Sequence, residues 1–111
     1  MCLHMRDKMS DFDTIDDRTE IELQAAAFRT LRAHLQNRTD VQNIDMMNLV
    51  GFCWNCLSGW IQDAATEKGL TLSKDEARAY IYGMDYSQWR DRYQTEATDA
   101  QKAAFEKAEK K

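Results

Sequence analysis

The chain has no proline and only four glycines in 111 residues. At an average usage of about 5%, several prolines would be expected. Proline removes an N–H and clashes with the preceding turn, so its absence suits a helical protein. No apolar run reaches the roughly 20 residues that cross a bilayer, so no membrane-spanning helix is expected. Met1–Lys8 has no long apolar stretch of the secretory kind. The expected location is therefore the cytoplasm, where thiols stay reduced. Basic clusters are also missing outside the mixed-charge C-terminal tail, and the net charge is −4. A basic face is the usual footprint of nucleic-acid binding, so that class of partner is not expected. Three cysteines are present, and the odd count argues against a disulfide framework.

The length suits one domain. Residues 1–13 are polar and are expected to be a mobile segment, with Cys2 and His4 incidental within it. A single helical domain is expected over 14–111. Thr19-Glu-Ile-Glu22 has the spacing of a capping box. Ile21, Ala25, Phe28, Leu31 and Leu35 follow at helical steps, which predicts a first helix from Thr19 to Asn37. The polar stretch 38–45 holds turn-forming residues, and Asp45 is placed to cap the next helix. Met46, Val50, Cys53, Leu57, Trp60 and Ala64 then recur at helical steps. They predict a central, mostly buried helix, Met46–Lys68, with a break at Gly51 as the variant reading. Ser73-Lys-Asp-Glu76 and Thr98-Asp-Ala-Gln101 open two further helices. Tyr86, Trp89 and Tyr93 share one face of another. No segment alternates like a strand. The expected fold is a small all-α bundle around the central helix.

The most specific chemical feature is Gly51-Phe52-Cys53-Trp54-Asn55-Cys56. Cys-x-x-Cys lets one turn present two sulfurs to one ion, and thiolate and imidazole are strong zinc ligands. On this reading Cys53 and Cys56 bind zinc or another divalent metal, with His34, Asp40 or Asp45 completing the site. The same spacing serves dithiol redox proteins, in which the first cysteine sits at a helix N-terminus. A break at Gly51 would put Cys53 there, but no βαβ pattern surrounds it. A third reading is packing, because cysteine behaves as a small buried hydrophobe. Leu57 rather than histidine follows Cys56, which excludes the c-type haem motif.

Other residues read as structural first. Asp40, Asn43 and Asp45 suit turns and caps, with the lining of a polar pocket or weak binding of a hard cation as further readings. The aromatic stretch Tyr80–Tyr93 suits a core, with a partner surface second. Gly59 inside a helix would let another helix approach, from a second subunit for example. No phosphate loop and no serine–histidine–acid arrangement is present, so no catalytic residue is assigned.

Taken together, Arg38–Trp60, Leu72–Arg78, Tyr82-Gly-Met84 and Tyr93–Thr98 resemble a family of short bacterial proteins catalogued as domain of unknown function 1244. The resemblance spans roughly residues 20–105. It implies a compact all-helical fold and no activity. Trp54 stands where that family usually carries a basic residue, so any tuning of the thiols by such a residue is missing here.

Two functions follow as expectations. The first is a non-hydrolytic metal-binding or thiol site at Cys53 and Cys56 in a homo-oligomer, a dimer, since a small domain gains core by association. The second is a helical adaptor whose cysteines are only core and hold no ion.

Overall fold

The computed structural model describes residues 11–109. Most of the segment expected to be mobile, including Cys2 and His4, lies outside them; Asp11–Asp13 form one 3-10 turn. Six helices follow: α1 (Asp17–Gln36), α2 (Asn43–Val50), α3 (Trp54–Glu67), α4 (Lys74–Tyr82), α5 (Tyr86–Tyr93) and α6 (Asp99–Glu109). No strand occurs among the described residues, so the all-α class is as the sequence reads.

The chain divides into two compact units, 1–31 and 32–111. In the first unit, helix α1 starts two residues before the expected box. Asp16, not Thr19, is the cap, its Oδ1 accepting the Thr19 N–H at 2.8 Å. The carboxylate is held below its usual range by those Thr19 hydrogen bonds. The stripe expected on this helix is not core: Ile21 and Leu31 are exposed, and α1 has no buried residue.

The second unit carries the core. Helix α3 packs on α4, α2 on α6, and α4 on α5. Trp54, Tyr82 and Trp89 meet at its centre, with ring centroids 4.7–4.9 Å apart. Each is almost fully buried, so they supply most of the large apolar side chains removed from water. Met46, Cys53, Leu57, Ala77 and Ile81 complete this core.

Two expected caps form. Ser73 Oγ accepts the Glu76 N–H while the Glu76 carboxylate accepts the Ser73 N–H. Thr98 and Gln101 exchange the same pair of bonds. At the other end of α4, Gly83 takes φ +80°, where a β-carbon would lie 3.1 Å from the Gln36 side chain. Long-range side-chain bonds fix the loops. Gln42 donates to the Tyr93 carbonyl and accepts the Thr95 N–H, and Gln36 donates to the Ile81 carbonyl.

The expected continuous helix Met46–Lys68 is two helices. Gly51 at φ +80° ends α2, with its N–H on the Met47 carbonyl. A left-handed residue reverses the chain direction at a helix C-terminus, and glycine adopts it without a β-carbon clash. Of the residues in that apolar period, Met46, Cys53 and Leu57 are buried, whereas Val50, Trp60 and Ala64 are exposed, so the side expected to be mostly buried is only half core. Asp45 does not cap; it lies in the first turn of α2, whose N-cap is Gln42.

Candidate thiol site

The break at Gly51 decides where the cysteines stand. Cys53, in extended backbone conformation, is the N-cap of α3, and Cys56 lies in that helix's first turn. N-caps are usually Ser, Thr, Asp or Asn, whose oxygen accepts a free backbone N–H. The Cys53 sulfur makes no capping bond. A residue on another helix contributes instead: Asn43 Oδ1 accepts the Trp54 N–H at 3.1 Å. The Asn43 amide donates to the Tyr82 hydroxyl at 3.0 Å, and that hydroxyl donates to Asn55 Oδ1 at 2.9 Å. The starts of α2 and α3 and the end of α4 are thereby pinned together around the cysteine turn.

Cys53 and Cys56 are both free thiols, with Sγ atoms 3.9 Å apart. A disulfide needs about 2.05 Å. Two sulfurs bound to one zinc at about 2.3 Å each stand about 3.8 Å apart at the tetrahedral angle. The pair therefore has the separation of two ligands on one ion. Cys53 is buried and Cys56 half-buried. Burial pushes the Cys53 thiol above its ordinary range, and the N–H groups of Cys56 and Asn55 offset only part of this. A free, low-pKa nucleophile is therefore not what this environment makes at Cys53. On the outer side, the Cys56 thiol donates to the thioether of Met47 on α2 at 3.7 Å.

The other expected ligands are elsewhere. His34 is exposed near the end of α1. Asp40 is exposed and engaged by Arg38, whose Nε and Nη2 each donate to it at 3.0 Å. That pairing holds the Asp40 carboxyl low. Both Asp45 oxygens accept from Gln101 Nε2 of α6. Among the described residues, no three His, Cys, Asp or Glu side chains gather into a group able to hold a metal ion.

The sequence marks neither Met47 nor Asn55 for the site, and it marks Asn43 as a turn or cap residue and Tyr82 as core without linking either to the cysteines. Met47 is six residues before Cys53, off any spacing that one helix would bring together. Only the Gly51 stop signals that the chain turns there. Asn43 and Asn55 also line a cleft of about 440 Å³, with Ile44, Tyr86, Gln94 and Ala97 among its other walls.

The family model for "Protein of unknown function (DUF1244)" matches residues 41–107, which include both cysteines. Among curated proteins nothing matches the chain. Among the described residues no helix is long and apolar enough to cross a membrane.

Proposed function

The chain belongs to the DUF1244 family, and from that premise we propose that it is a small helical metal-binding module whose site is the thiol pair Cys53 and Cys56. The observation that carries this reading is the 3.9 Å separation of the two sulfurs at the start of α3. Two metal–sulfur bonds of ordinary length span that gap, whereas a disulfide requires the sulfurs to close by nearly half. A thiophilic metal ion, zinc among them, is the class of ligand. His34, Asp40 and Asp45 are not assigned as donors, since Asp40 and Asp45 already have partners. Binding would release the thiol protons, so affinity would weaken as pH drops. Equilibrium dialysis against zinc tests the reading. The wild type should retain metal after gel filtration and the Cys53→Ser/Cys56→Ser variant should not. Equal retention by both would overturn it.

A second reading is an interaction module that associates with itself. Leu49 is 83% exposed, Val50 61% and Trp60 55%, and the Phe52 ring lies 5.7 Å from that of Trp60. None of these four carries a charge, so two copies of a chain of net charge −4 meet there without opposing like charges. Among the described residues, none has a heavy atom within 4 Å of where a β-carbon on Gly59 would stand, so no described helix occupies the approach it leaves. Light scattering should give a dimer for the wild type and a monomer for Trp60→Glu. A monomeric wild type at micromolar concentration would sink this reading.

A further inference from the structure

The two thiols are not the only sulfurs at the site. Met47 Sδ lies 3.7 Å from Cys56 Sγ, which is itself 3.9 Å from Cys53 Sγ. The thioether comes from α2 and the thiols from the cap and first turn of α3, so the Gly51 reversal brings together three sulfurs from two helices. Nothing in the core needs this: Met47 is only half-buried, and an apolar cleft of about 130 Å³ lined by Gly51, Phe105 and Ala108 borders it. Met47 and Cys56 are both partly exposed, unlike Cys53.

We propose that Met47, Cys53 and Cys56 form a three-sulfur site for a soft monovalent cation, Cu(I). The inference rests on the thiol-pair reading above and adds a third donor and the choice of ion. Two arguments carry it. The first is spacing: with metal–sulfur bonds of about 2.3 Å, sulfurs on one ion stand about 3.8 Å apart at a tetrahedral angle and about 4.0 Å at a trigonal one. The Cys53–Cys56 and Cys56–Met47 separations fall at that scale, with Cys56 the sulfur common to both. The second is donor chemistry. Zinc sites take four donors of nitrogen, thiolate or carboxylate type. No His, Asp or Glu joins the two cysteines in a group among the described residues, and the third donor present is a thioether. Soft sulfur donors suit Cu(I), zinc and iron–sulfur clusters, and the thioether, which is not among the usual zinc donors, favours Cu(I). Loading exchanges two thiol protons for one cation, so two thiolates, one thioether and Cu(I) carry a net charge of −1.

The test is an anaerobic Cu(I) titration of the full chain against bicinchoninate, read by the colour of the competing complex. All proteins carry Cys2→Ser, so the remaining thiols are Cys53 and Cys56. The expected result is one tightly held Cu(I) per chain. Met47→Leu should weaken it about tenfold, the lower end of what losing even an outer-shell partner costs a metal site. Zinc affinity should be the same in the parent protein and in Met47→Leu. X-ray absorption at the copper edge should count three sulfurs in the parent protein, a readout that stands whether or not the variant folds. Two sulfurs, or equal Cu(I) affinity with a folded Met47→Leu, would overturn the Met47 assignment and leave the thiol pair intact. Cu(I) and zinc binding unchanged in Cys53→Ser/Cys56→Ser would overturn both readings.

Discussion

The Tyr82 hydroxyl donates to Asn55 Oδ1 at 2.9 Å, in the middle of the Cys-x-x-Cys turn. The same hydroxyl accepts from Asn43, whose carbonyl oxygen takes the first free N–H of α3. One buried phenol therefore joins the aromatic core to the geometry of the thiols.

Removing that oxygen takes the acceptor from the Asn43 amide N–H and the donor from Asn55 Oδ1. Tyr82→Phe keeps the ring packing and should destabilise the domain by about 1–3 kcal/mol, the penalty of partly buried groups left unpaired. Urea denaturation followed by tryptophan fluorescence measures it. A midpoint equal to wild type would mean that the network contributes nothing net.

Tyr82 also links stability to alkaline pH. Burial, the largest cause, raises its ionisation well above the ordinary tyrosine range. The unfolded chain releases this proton near pH ~10 while the folded one keeps it. Stability should therefore decline as pH rises past the unfolded value. An ultraviolet titration of the four tyrosines should show one that ionises only as the fold is lost. Four phenols titrating together below that transition would contradict this.

Gly51 is the turning point of the site. Its φ of +80° strains any residue with a β-carbon, although no neighbour would be struck. Gly51→Ala should cost about 1–2 kcal/mol, in the same urea assay. If alanine is accommodated with no loss, the left-handed stop is not what divides α2 from α3.

The Ser73 cap gives a local test with a pH signature. Ser73→Ala should cost about 1 kcal/mol. Glu76 is held below its usual range chiefly by the Ser73 N–H. Its contribution is complete above the unfolded carboxylate value and is lost as pH falls through the folded one. Carboxyl-detected NMR should find the Glu76 midpoint depressed in the wild type and moved up in Ser73→Ala, where the cap geometry loosens. An unmoved midpoint would show that the serine hydroxyl does not position this carboxylate.

The two thiols should differ in reactivity. Cys56 is half-buried, whereas Cys53 is only 6% exposed and its thiol is pushed up by burial. Iodoacetamide at mildly alkaline pH should modify Cys56 first, with Cys53 following on denaturation or at higher pH. Peptide mass spectrometry reads the order. Faster labelling of Cys53 would reverse the assignment of inner and outer sulfur.

What the residues determined by themselves is local. The absence of proline and the helical steps of apolar residues select the all-α class, and Ser73–Glu76 and Thr98–Gln101 form their boxes because a cap is satisfied within four residues. The spacing of Cys53 and Cys56 likewise put two sulfurs on one turn. Tertiary structure decided the rest. The apolar period of residues 46–64 fits one helix or two, and the left-handed Gly51 chose two. That choice placed Cys53 at a cap and swung Met47 beside Cys56. Asp45 and Asp40 found Gln101 and Arg38 as partners rather than the thiols. Asn43, 39 residues from Tyr82 in sequence, became part of the site. Such contacts depend on how loops close and which faces pack, and a side chain's short-range pattern carries no record of a partner that only folding brings near.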